Sequence, residues 1–131
     1  MAKRKSVKCA GLSFAAVRRF CLGLPGVTED VKWGEHLVWS VGGKMFAMLT
    51  EDENGKLGLP LAFKCSEEEF DRLTEMPGII PAPYAARHMW VSVRERTALS
   101  QAETQRLIGE SYRLVLEKLP RRVRGEIEGT K

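Results

Sequence analysis

The chain has 131 residues, a formal net charge of +4 and a hydrophobic fraction of 44%, which bound it to one ordinary globular domain. No apolar run approaches the roughly 20 residues of a membrane-spanning helix, and the basic start Met1–Ala10 lacks the apolar stretch of a secretory signal, so the cytoplasm is expected. Cys9, Cys21 and Cys65 form no Cys-x-x-Cys pair, which argues against a disulfide framework and a zinc clip.

Taken in chain order, Ser13 N-caps a first helix to about Leu24, with Phe14, Val17, Cys21 and Leu24 on one stripe and Phe20 beside it. Pro25-Gly26 stops it. Glu29 to Lys32 and Leu37 to Val41 read as strands, the second alternating Leu37, Trp39 and Val41 against Val38 and Ser40. Gly42-Gly43 is a two-residue hairpin turn, and Lys44 to Thr50 is the return strand. A second turn, Asp52 to Gly55, leads into a strand over Lys56 to Lys64, where Pro60 implies an edge or a bulge. Ser66 with Glu69, and Ser100 with Glu103, form capping boxes in which each side chain satisfies the other's backbone donor. They open a short helix to about Glu75 and a long one carrying Ile108, Tyr112, Val115 and Leu119, ended by Pro120. Between these helices, Pro77 to Pro83 is a proline-punctuated loop that holds no regular ladder, and His88 to Arg94 is a further strand. Sequential hairpins flanked by helices predict an α+β two-layer sandwich: an antiparallel meander sheet with N-terminal, short middle and long C-terminal helices.

Charge is unevenly spread along the chain. Residues 1–27 carry a net of +6, residues 28–80 a net of −6 and residues 81–131 a net of +4. Basic ends around an acidic middle suit a polyanion, although solvated faces also differ in charge without any ligand. Lys3, Arg4, Lys5 and Lys8 at one end, and Lys118, Arg121, Arg122 and Arg124 at the other, are the credible phosphate contacts on flexible segments. Lys44, at the first hairpin turn, and Arg87 join that set.

The stiff stretch from Pro77 to Arg87, followed by His88 and Trp90, is the part least explained by stability alone. A preordered surface of this kind loses little entropy on binding, so Trp33, Tyr84, His88 and Trp90 are candidate ligand-surface residues. Trp33, Trp39 and Trp90 are also candidates for base stacking, against the commoner use of strand tryptophans as core. Searches for chemistry fail. Gly43-Lys44 lacks the glycine at position 38 and the hydroxyl at position 45 that a P-loop needs, and no Gly-x-Ser-x-Gly or His-Glu-x-x-His occurs. His36 and Glu35 would point to opposite faces of a strand. No catalytic residue, cofactor or metal is therefore expected.

Three phrases carry a resemblance. They are Leu24-Pro25-Gly26 through Trp33-Gly34 to Val41–Ala47; Pro77-Gly78-Ile79-Ile80-Pro81-Ala82-Pro83-Tyr84-Ala85-Ala86-Arg87-His88-Met89-Trp90-Val91; and Ser111-Tyr112-Arg113-Leu114-Val115 with Lys118-Leu119-Pro120. In order and spacing the chain resembles the MmcQ/YjbR family, small bacterial proteins with a CyaY-like, "double-wing" fold and a DNA-binding label. The resemblance covers residues 12–124. It implies a single domain there, a basic flexible N-terminus over 1–11 and a C-terminal tail over 125–131.

The resemblance further implies hairpins acting as wings against DNA, with the turns at Gly42-Gly43-Lys44 and at Glu51 to Lys56 as candidates. Glu51, Asp52 and Glu53 would repel phosphates, so one basic wing with basic ends fits these charges better than two. The frataxin-like kinship suggests iron on an acidic first helix, but Arg18 and Arg19 stand there with no acid before Glu29. The expectation is a non-enzymatic protein binding DNA weakly through phosphates, without sequence preference, as a monomer or weak homodimer away from membranes. The alternative is a small-ligand or protein-interaction module using the sheet face and the 81–90 loop.

Overall fold

Three serine hydroxyls set where the main helices begin. The computed structural model of the chain describes residues 12–83 and 85–128. Ser13 accepts from the Ala16 amide at 3.2 Å and starts α1, Phe14–Leu22. Ser66 accepts from Glu69 N at 3.2 Å and starts α2, Glu67–Leu73. Ser100 accepts from Glu103 N at 3.0 Å and starts α3, Gln101–Glu117. Each hydroxyl satisfies one of the donors a helix start leaves open.

The reciprocal half of the two capping boxes is not made. The Glu69 and Glu103 carboxylates turn instead to two guanidiniums: Arg72 reaches Glu69 and Glu103, and Arg106 reaches both of them and Glu110. Charge-assisted bonds to arginine outcompete a carboxylate bond to a backbone amide that water can serve.

The strands are β1 (Val27–Lys32), β2 (His36–Val41), β3 (Lys44–Glu51), β4 (Leu57–Lys64), β5 (Ile79–Pro81) and β6 (Trp90–Val93). They form one antiparallel sheet in the order β1-β2-β3-β4-β6-β5. The expected loop over Pro77 to Pro83 therefore does hold a ladder: Ile79, Ile80 and Pro81 pair with Val93, Ser92 and Val91. Proline is tolerated because β5 is an outer strand, where its missing N–H leaves no interior gap.

Pro60 has the opposite placement, in a strand flanked on both sides. Gly58 faces Thr50 and Ala62 faces Met48, so Leu59, Pro60 and Leu61 stand against Leu49 alone. The strand is bulged, not an edge.

Leu37, Trp39, Leu49, Phe63 and Val91 sit on the helix-covered face with Val17, Cys21, Ile108 and Leu116 of α1 and α3 in one core. Trp39 is fully buried, and its indole N–H donates to Glu29 at 3.0 Å, so this tryptophan is core and not a stacking platform. Glu29 also takes two bonds from Arg18, at 2.9 and 2.8 Å.

After Pro120 the chain forms a fourth helix, α4, Arg121–Glu128, where a flexible basic segment was expected. The boundary at 124 falls inside it. Its only buried side chain is Ile127, seated so closely on Gly26 that a Cβ there would lie 2.8 Å from Ile127 Cγ2. Lys3, Arg4, Lys5 and Lys8 lie outside the described residues.

Candidate functional site

The two turns proposed as wings are at opposite ends of β3. Lys44 and Glu51 are the two ends of this strand, seven steps or roughly 23 Å apart at the usual rise per residue. The turn after β3 keeps company with acids: Glu51 N donates to Glu35 O at 2.8 Å, and Asp52 Oδ1 accepts from Asn54 N and Lys56 N. This end of the sheet carries Glu35, Glu51, Asp52 and Glu53.

The other end is basic. Gly42 and Gly43 both adopt positive φ, 60° and 82°, as a two-residue hairpin turn demands. Gly42 packs against α3's C-terminal end, where a Cβ would meet Leu119 Cδ1 at 2.5 Å. Gly42 of this exposed turn is thus seated on Leu119, which brings Lys44 beside the end of α3. A cleft of about 600 Å³ opens there, lined by Lys44, Met45, Lys64, His88, Trp90, Val115, Lys118, Leu119 and Pro120. Three lysines and a histidine from four segments converge on it, and among the described residues no carboxylate lines it.

Lys64 was not singled out from the sequence. Its backbone faces Trp90 across the β4–β6 ladder, and its ammonium donates to the His88 carbonyl at 2.8 Å. Burial holds its pKa below the usual lysine value, and the nearby Lys118 charge adds to that. An ammonium desolvated beside a second cation gains from an arriving anion, which relieves both penalties. Only the cross-strand pairing with Trp90 marks this lysine out, and no local pattern encodes that pairing.

Of the expected site residues, Lys44, His88, Trp90 and Lys118 meet in the cleft. Arg121 and Arg122 follow Pro120 as exposed residues in the first turn of α4, and Arg124 is half-buried in the same helix. Arg87 is exposed in a single 3₁₀ turn, Ala86–His88, and lines neither the cleft nor the cavity on the sheet face. Tyr84 lies outside the described residues. Trp33 stands apart from the cleft, at the β1–β2 turn, 66% exposed with φ 54° and its ring edge-on to His36 at 5.8 Å.

Ser111 ties this end together from the core. Its hydroxyl donates to Phe46 O at 2.7 Å and accepts from Lys64 N at 3.1 Å. Next to it, the Tyr112 hydroxyl donates to the Pro25 carbonyl. The third phrase of the sequence resemblance is therefore a set of anchors from α3 to the sheet and to the end of α1.

Nothing among the described residues gathers three or more His, Cys, Asp or Glu side chains in a metal-binding group. Cys65 is buried and donates to Met89 O, and its thiol pKa is pushed up to about 12, chiefly by burial. No described helix is long and apolar enough to cross a membrane.

The YjbR family model matches residues 22–114 of the chain. Among solved structures, the Deinococcus radiodurans protein DR2400, with the domain DUF419, is 24% identical with a TM-score of 0.74, covering 88% of each chain. A Pseudomonas syringae protein is 20% identical with a TM-score of 0.64, over 79% of this chain and 99% of its own. At these identities the likeness carries the fold alone. No curated protein matches the chain.

Proposed function

The chain belongs to the YjbR family, and from its cleft we propose a non-enzymatic protein that binds nucleic-acid phosphates, DNA first among them, at the basic end of the sheet. The observation that carries this reading is the convergence of Lys44, Lys64, His88 and Lys118 on one cleft that no described carboxylate lines. The first turn of α4 supports it. Arg121 and Arg122 stand where a helix dipole disfavours cations, so their position is not explained by helix stability. Open backbone donors and two guanidiniums at a helix start instead suit an anion. The acidic turns at the far end of the sheet give the contact a direction, with the duplex against Lys44 and away from Glu51, Asp52 and Glu53. No base-reading side chain is implied, so binding is phosphate-directed and indifferent to sequence.

Fluorescence anisotropy with an arbitrary labelled duplex at two salt concentrations tests this. Four phosphate contacts predict a loss of roughly a hundred-fold in affinity on a fourfold rise in salt. The double variant Lys64→Ala/Lys118→Ala should bind more weakly at low salt and lower the salt slope by about two. Affinity and slope unchanged in that variant would remove the cleft from the interface. Absence of binding by the unaltered protein at low salt would end the nucleic-acid reading.

A further inference from the structure

The face of the sheet turned away from the helices is not bare. Across its middle run Val38, Met48, Ala62, Ser92 and Ile80, paired strand to strand. Two small residues, Ala62 and Ser92, sit at the centre of that row and leave a depression between longer neighbours. Ala82, Pro83 and Ala85 border it from β5's end, and Trp33 and His36 border it from the β1–β2 turn. Of these residues, all but Val38 and Ile80 line a cavity of about 360 Å³, within the range of small-molecule sites.

The lining is apolar but for three groups: His36, the Ser92 hydroxyl and Arg94. Arg94 forms no ion pair with any described carboxylate. An unpaired guanidinium on the rim of an apolar slot has no role in packing the core, which lies on the other side of the sheet. Trp33 shows the same lack of a structural reason. It is a large ring left 66% exposed on a left-handed backbone, bordering the cavity.

We propose that this cavity binds a planar aromatic acid, its ring laid on Ala62 and Ser92 beside Trp33 and its carboxylate held by Arg94. The ring fits because the floor is small and flat while the walls, Trp33, Pro60, Pro83 and Trp90, are rings themselves. The acid fits because the guanidinium is the one Lys or Arg cation among the described lining residues, and its fork matches a carboxylate. The site is separate from the phosphate cleft, sharing only Trp90 with it, and does not depend on that reading.

The probe is 2-naphthoate, titrated calorimetrically into the full chain, with 2-naphthylmethanol as the uncharged counterpart. Naphthoate should bind more tightly than the alcohol. Arg94→Gln, on an exposed side chain, should weaken naphthoate by about tenfold and leave the alcohol unchanged. Ala62→Leu should abolish binding of both by filling the floor, with thermal melting and circular dichroism confirming that the variant is folded. The proposal is overturned if naphthoate fails to bind at millimolar concentration, if Ala62→Leu binds it as before, or if Arg94→Gln weakens acid and alcohol alike.

Discussion

Replacing Ser111 by alanine removes one hydroxyl and opens two strands. Ala47 pairs with Phe63, and Met48 with Ala62, so the next pair in that register would be Phe46 with Lys64. The ladder stops short of it. Ser111, fully buried on α3, enters the gap instead, donating to Phe46 O at 2.7 Å and accepting from Lys64 N at 3.1 Å. Alanine leaves a carbonyl and an amide without partners in the core. Each such group costs about 1–3 kcal/mol, so Ser111→Ala should destabilise the protein by about 3 kcal/mol. Urea denaturation reads this as a lower midpoint at unchanged slope, and melting should fall by roughly 10 °C. Because Lys64 loses the bond that fixes its backbone, duplex affinity should also weaken. A loss below about 1 kcal/mol would show that β3 and β4 close directly once the hydroxyl is gone, and would refute the view of Ser111 as a bridge.

Two further outcomes follow from single side chains. Gly42→Ala should cost more than Gly43→Ala, about 3 against 1 kcal/mol in urea melts, because both take positive φ but only Gly42 meets Leu119; equal losses would mean that the turn is not docked on α3. Glu29→Gln should destabilise by about 1–2 kcal/mol at neutral pH, through weakened bonds to Arg18 and Trp39. Arg18 and the Trp39 N–H hold the Glu29 carboxyl below its ordinary value of 4.5. Its contribution is therefore complete above that pH and is lost as pH falls through the lowered folded value. The gap between native and Glu29→Gln midpoints should close over that acid range, and a gap independent of pH would remove the carboxylate's charge from the account.

Local chemistry in the sequence determined the framework. Ser13, Ser66 and Ser100 announce helix starts because a cap needs only a hydroxyl and an amide three residues on. Gly42-Gly43 announces its turn because two successive positive φ values exclude most other residues. The stripe of Ile108, Tyr112 and Val115 places α3 on the core by spacing alone. Lys44 and Lys118 were recognisable as cationic candidates and His88 as a ligand-surface one, each by itself.

What gathers these residues is long-range, and only the tertiary structure decided it. β5 exists because Ile79 finds Val93, and Lys64 enters the cleft because it faces Trp90; neither pairing leaves a mark within a few residues of itself. The helix after Pro120 is held to the body of the protein where Ile127 finds Gly26, a contact between residues far apart in the chain. The hollow on the sheet face arises the same way, since Ala62 and Ser92 are unremarkable until two strands set them side by side. Caps and turns are closed by bonds between near neighbours, whereas clefts and cavities are made by groups whose separation along the chain carries no information about their separation in space.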